Sequence, residues 1–336
     1  MIWLHRFTKL VAAATFLLVV AGGLVTSTGS GLSVPDWPTT YGWSMFTFPF
    51  SKWVGGILYE HGHRLIATTV GVLTILMVIA YWRVEPRRWV RTLTLVGLGT
   101  IVAQGVLGGI TVLTQLPAAV SSAHAGLAEV FFALTVSLAL FTSAGWLKAY
   151  SDPATGADRT RALAADARLR RLTVLAVAVV YLQIVLGAVM RHTGAGLAIP
   201  DFPLMFGRVL PSAAAFAVPG VGIHFAHRAG AVVVAVFIGV TCARVLKRHG
   251  GHRELARPAL LLLALLVVQV ALGALTVLSG RNVAINTAHL ATGALVFATT
   301  VALALRVHRP YFAAGLAGST SPHPLARGLH PSPQPH

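Results

Sequence analysis

The chain has 336 residues, 56% of them hydrophobic and 10% charged, with a mean hydropathy of +0.76. That balance excludes an ordinary soluble domain, in which about a quarter of residues are charged. The formal net charge of +17 does not point to nucleic acid, because the cations gather between apolar runs rather than on the face of a soluble domain.

A membrane-spanning helix needs about 20 mostly apolar residues. Eight stretches meet that length, at 10–27, 62–82, 92–114, 123–147, 172–190, 224–246, 258–279 and 288–307. All are read as helices, since isolated strands cannot satisfy their backbone in lipid. The prediction is an all-α integral membrane protein with eight transmembrane helices.

The first run follows Arg6 and Lys9 and has the outline of a secretory signal. Its alignment with the fifth run, pairing Leu17 with Leu182, Val20 with Val185 and Gly22 with Gly187, argues that it is retained. The second connection carries Arg83, Arg87, Arg88 and Arg91, and the fourth carries Lys148, Arg159, Arg161, Arg168, Arg170 and Arg171. Arg244, Lys247, Arg248, Arg253 and Arg257 surround the sixth connection, and Arg306, Arg309 and Arg327 follow the last helix. Lys52, Arg64, Arg191, Arg208, Arg228 and Arg281 fall on or near the other side. The positive-inside rule therefore puts both termini in the cytoplasm of a multi-pass protein of the cell membrane.

The two halves repeat. Thr28–Pro38 (TGSGLSVPDWP) returns 165 residues later as Thr193–Pro203 (TGAGLAIPDFP), identical at seven of eleven positions. In the same frame Val102–Thr114 matches Val267–Ser279, and His124 falls on His289; after a one-residue gap, His63-Arg64 falls on His227-Arg228. The organisation expected is a four-helix repeat over 1–149, a cytoplasmic linker over 150–171, a second four-helix repeat over 172–309 and a disordered cytoplasmic tail over 310–336. Four helices per repeat leave both copies in one orientation, as tandem bundles related by a pseudo-twofold axis along the membrane normal. The lone Cys242 reads as a small buried apolar residue. His323, His330 and His336 in the tail read as incidental.

Both long connections on the less basic side, near 28–61 and 191–223, open with this Gly-rich stretch. Asp36 and Asp201 suit turns and caps, while Trp37, Trp43, Trp53 and Phe202 suit either an aromatic belt or a cover over a pocket.

His63, His124, His227 and His289 fall near the ends of the second, fourth, sixth and eighth helices, at one membrane depth. Ionisable residues in spanning helices are costly and usually functional. Zinc would want three or four clustered ligands, whereas haem iron takes two axial ligands from opposite sides, for which neutral imidazole is a common choice. Arg64 and Arg228 could pair with haem propionates. Gly105, Gly108, Gly109 and Gly273 allow close approach, and Gln104 and Gln269 match across the repeat as interhelical hydrogen-bonding or pocket-lining groups. Symmetry breaks at Glu60, three residues before His63, where the other half has His224. Glu60 reads either as an i, i+4 ion pair with Arg64 or as a proton-handling group. Glu129, matched by Ala294, is a minor candidate.

GGLVTSTGSGL, then PDWP, then E-x-x-H-R at Glu60–Arg64, with His124, the second H-R and His289, resembles the haem A synthase family from about residue 10 to 307. The connections lack the cysteine pairs of many members, so the resemblance is to a cysteine-free branch. It implies oxidation of the C8 methyl group of haem O to a formyl group, giving haem A for terminal oxidases. It further implies that His227 and His289 ligate a resident haem b, that His63 and His124 hold the substrate haem, and that Glu60 assists. Oligomeric state, and docking to a haem O synthase or oxidase-assembly partners, stay open. Two other readings use the same residues: a dihaem b-type cytochrome passing electrons to or from quinone, and a transporter of parallel repeats.

Overall fold

The computed structural model describes residues 1–151 and 161–317. Eight of its helices are long and apolar enough to cross a membrane. They are α1 (Ile2–Ser27), α2 (Gly56–Val84), α3 (Arg88–Leu113), α4 (Ala118–Phe141), α5 (Ala167–His192), α6 (Val221–His249), α7 (Arg253–Leu278) and α8 (Val283–Ala317). Among the described residues the only β pairing is two single bridges, Thr40 with Trp43 and Met205 with Arg208. The protein is an all-α integral membrane protein.

Most helices run longer than their apolar stretches, because the polar ends find partners. α1 begins at Ile2, where Leu4 is fully buried and His5 Nδ1 lies 3.0 Å from the Ala139 carbonyl. α4 ends earlier than expected, at Phe141 rather than 147. The Thr142 hydroxyl bonds back to the Leu138 carbonyl at 3.0 Å, and a short helix (Ala144–Ser151) restarts after Ser143. Burial of Trp146 against Phe141 and Phe312 draws the chain into that bend. Of the expected linker and tail, 152–160 and 318–336 lie outside the described residues; 310–317 continue α8.

Each run of four helices packs in the same cyclic order, first on second, second on third, third on fourth and fourth on first. α4 and α8 are the most buried helices, and with α1 and α5 they join the two rings. Phe132, Ala294 and Ala298 form that seam, with Phe16 stacked on Phe132 at 5.6 Å. α7 lies outermost, its Leu260, Leu261 and Val267 exposed as a lipid-facing surface requires. The second ring's core holds Leu169, Val180, Ile238, Leu255, Leu262 and Leu303, and Cys242 is fully buried within it.

At the end bearing Met1, Asp166 caps α5 by accepting from the Leu169 amide at 3.0 Å. It also accepts from Arg244 at 2.7 Å and meets His249 Nε2 at 3.1 Å. Burial opposes ionisation, yet the Arg244, Leu169 and His249 hydrogen bonds override it and pull the carboxyl down to about 2. The start of α5 is thereby tied to the end of α6.

Candidate functional site

The four histidines sit at the other end, and one packing device recurs at each. His63 on α2 lies against Gly22 on α1, and His124 on α4 against Gly108 on α3. His227 on α6 lies against Gly187 on α5, and His289 on α8 against Gly273 on α7. A methyl group added to those glycines would come within 3.1, 3.3, 2.9 and 3.1 Å of the respective Cε1 atoms. Each imidazole thus occupies a slot that a side chain on the neighbouring helix would fill. Within each ring the two histidines are neighbours in space, His63 within electrostatic range of His124 and His227 within that of His289. Among the described residues no three His, Cys, Asp or Glu side chains converge as a metal-ion site. The donor set is therefore two pairs of imidazoles, a set compatible with a planar macrocycle that has two axial positions.

The pairs differ in what holds them. His289 Nδ1 stands 3.2 Å from the Gln269 carbonyl. The Gln183 amide donates to the His227 carbonyl at 2.8 Å and lies 3.0 Å from His227 Nδ1. The Gln269 carbonyl can accept the Nδ1–H of His289, which leaves Nε2 with the free lone pair. The Gln183 amide can only donate to His227 Nδ1, so it holds that ring in place without setting the same tautomer. In the first ring Leu18 occupies the position equivalent to Gln183, and His63 Nδ1 is buried without a hydrogen-bond partner.

Over each pair lies a loop built on the repeated PDWP or PDFP segment. Asp36 accepts from the Tyr41 and Gly42 amides at 2.8 and 2.9 Å, and Asp201 from the Phe206 and Gly207 amides at 2.8 and 2.7 Å. Tyr41 and Phe206 have φ of +50° and +56°, and the glycines after them +77° and +72°; the carboxylates stabilise a turn that side chains otherwise disfavour. Burial of Asp36 is overridden by the Gly42, Thr39 and Tyr41 hydrogen bonds, and its acidity is raised. At exposed Asp201 the Gly207 amide has the same effect. Both aspartates are turn formers. Trp37 reaches from the first loop onto α3, where its indole lies against Gly109, one residue from the Gly108 slot.

Arg64 and Arg228 tie these loops to the helices. Arg64 donates to the carbonyls of Asp36 (2.7 Å), Thr39 (3.0 Å) and Val34 (2.9 Å). Arg228 donates to the equivalent carbonyls of Asp201 (2.7 Å), Leu204 (3.0 Å) and Ile199 (3.0 Å). In both halves the guanidinium Nη donors engage the loop backbone.

The same scaffold accounts for the broken symmetry. Glu60 Oε1 accepts from Arg64 at 2.7 Å and Oε2 from the Val34 amide at 2.7 Å. In the other half His224 stands 3.2 Å from Arg228 Nε and 3.1 Å from the Ile199 amide. A neutral imidazole has one acceptor nitrogen, so His224 can fully satisfy only one of these donors where the carboxylate satisfies both. Glu129 is buried in α4, and its Oε2 meets no partner.

Two residues that sequence reasoning passed over belong here. His61, fully buried, meets Thr40 Oγ1 at 3.1 Å and packs edge-on against Trp53 at 4.6 Å; its counterpart Phe225 was the available signal. His192, at the end of α5, lies within electrostatic range of His124 across the ring boundary. An apolar groove of about 390 Å³, lined by Trp89, Leu134, Phe141 and Phe312 among others, lies at the opposite end and takes no part in this arrangement.

The model of a family described as cytochrome oxidase assembly protein matches residues 5–301. The chain is 26% identical over 302 residues to the Heme A synthase of Halalkalibacterium halodurans, covering 88% of this chain and 95% of the relative. It is 31% identical over 292 residues to the Heme A synthase of Symbiobacterium thermophilum, covering 84% and 89%. The Heme A synthase of Caulobacter sp. (strain K31) is 29% identical over 341 residues, with 89% and 94% covered.

Proposed function

The chain belongs to the cytochrome oxidase assembly protein family, and on that premise we propose that it is a haem A synthase with unequal halves. The substrate is haem O, and the product carries a formyl group in place of the C8 methyl: an oxygen atom from solvent enters through a hydroxymethyl stage, and four electrons and four protons leave, the electrons to an external acceptor. His63 and His124 hold the substrate porphyrin. His227 and His289 hold a resident haem b, which supplies one-electron redox capacity beside the substrate half.

The observation that carries this division is the different support of His63 and His227. His227 is held in place by the Gln183 amide and His289 by the Gln269 carbonyl at its Nδ1, which suits a cofactor that stays. His63 has no such partner, which suits a ligand that must release its porphyrin after each turnover. Trp37 on the Gly109 backbone covers the first site against water. Arg64, Arg228 and the two aspartates hold the covering loops. Glu60, sharing a helical face with His63, anchors the first loop and accepts a proton during methyl oxidation. Haem extraction from the purified protein tests the reading: haem b together with haem O or haem A supports it, and two equivalents of haem b alone refute it.

The glycine slots give a second test. Gly187→Ala, with the tightest approach at 2.9 Å, should lower haem b content about ten-fold by turning the His227 ring; Gly108→Ala, at 3.3 Å, should leave haem b and lower haem A. Haem b falling with Gly108→Ala but not with Gly187→Ala would reverse the two halves.

The basic residues put the histidine end outside the cell membrane and the termini inside. In a Cys242→Ala background, a cysteine introduced at Thr39 should react with an impermeant maleimide in intact cells, and one at Arg168 only after lysis. The opposite pattern would overturn the orientation.

A further inference from the structure

The histidine end of the second ring holds two cations that nothing above uses. Arg191 lies on α5 one turn beyond Gly187, the residue that faces His227, and so on the same helical side. Its Nη2 donates to the Gly23 carbonyl at 2.9 Å and to Ser27 Oγ at 2.7 Å; among the described residues its other donors have no acceptor. Arg281, just past α7, has φ of +66° and lays its Cδ 3.7 Å from a methyl built on Gly196. The two guanidinium groups are within electrostatic range of each other, and Arg191 is within range of His289.

Among the described residues no carboxylate answers them. Glu60, Glu85, Asp166 and Glu254 are paired with other cations, Asp36 and Asp201 hold their turns, and Glu129 lies down α4. Two like charges near a low-dielectric boundary repel, and an anion between them relieves that cost. The first ring lacks the feature. Thr26 stands at the position of Arg191, with its hydroxyl on the Gly22 carbonyl at 2.8 Å. Leu116 stands at that of Arg281 and covers Gly31 as Arg281 covers Gly196. Arg64 and Arg228 are committed to loop carbonyls in both rings alike.

We propose that Arg191 and Arg281 form a seat for the paired propionate carboxylates of the porphyrin bound by His227 and His289, a seat the first site lacks. The inference rests on that pair holding the resident haem. It gives retention a physical basis: charge-assisted hydrogen bonds to two carboxylates hold the cofactor, while the substrate site, without them, releases its porphyrin.

The test is transfer of haem b from the purified holoprotein to excess apomyoglobin, followed by absorbance in detergent. Arg281→Leu, which installs the first ring's residue, should speed release about ten-fold, and Arg281→Lys should recover part of the loss. Arg191→Lys keeps the charge but loses the fork, and combined with Arg281→Leu it should release faster than either alone. Unchanged release in Arg281→Leu and in the double variant would overturn the proposal. So would unchanged release accompanied by loss of co-purifying phosphatidylglycerol, which would make the anion a lipid headgroup. His227→Ala separates the two levels. If it retains haem b, the assignment of the resident site fails; if it loses haem b while the arginine variants release normally, only the propionate seat fails.

Discussion

His227→Ala and His289→Ala should each abolish the haem b signal in the reduced-minus-oxidised spectrum, whereas His63→Ala and His124→Ala should leave it and lower the haem A to haem O ratio. Removing one axial imidazole leaves the iron with an incomplete ligand set, and in the second ring it also strands the partner that aimed the ring, Gln183 for His227 or the Gln269 carbonyl for His289. The slots argue against rescue by a neighbour. Gly187 and Gly273 are bare backbone, and His224 of that half is already engaged between the Ile199 amide and Arg228. The measurement is made on membranes of cells that also make haem O, with pyridine haemochrome quantification per mole of protein. Haem b lost with His63→Ala and retained with His227→Ala would invert the roles of the halves.

Much of this was legible in the sequence because a bilayer imposes a simple code. Runs of about 20 apolar residues can only be helices, and the duplication put each histidine beside its counterpart. Gly108 and Gly273 could be singled out as small residues, but their pairing with His124 and His289 could not be read, since spacing does not say which helix faces which. Gly22 and Gly187 entered only as alignment markers, although they form the remaining two slots. Arg64 and Arg228 sit beside histidines in sequence, which suggested propionates; their hydrogen bonds to the loop carbonyls are set by backbone geometry that no residue pattern encodes. Arg191 and Arg281 are distant in sequence and have no charged counterparts in the first half, so nothing local joins them. The break after Phe141 was missed for a similar reason: Thr142 and Ser143 interrupt an apolar run only because Trp146 has an aromatic pocket to enter.

Glu60→Gln should lower haem A output by about 10²–10⁴-fold, the usual worth of a single acid–base group, while haem b content stays at the wild-type level. The carboxylate also carries structure, however, because both its oxygens are engaged. Glutamine replaces one of the two accepting oxygens by an NH2 that would face the Val34 amide or Arg64 as a second donor, so a loss of activity alone would not tell chemistry from anchoring. The second half supplies the control. There His224 occupies the anchoring position against the Ile199 amide and Arg228, so Glu60→His installs an anchor that this fold already accommodates. Comparing Glu60→Gln, Glu60→His and Glu60→Asp separates the two contributions through the pH profile of haem A formation. If the group takes up a proton in turnover, Glu60→His should keep the loop closed, judged by protection of the Thr39 region from proteolysis, and should form haem A with its pH dependence moved toward the imidazole range. Glu60→Asp, shorter by one methylene, should retain the acid limb and lose rate through misplacement. Wild-type haem A output from Glu60→His, with an unchanged pH profile, would reduce Glu60 to a loop anchor and leave its proton-accepting role without support.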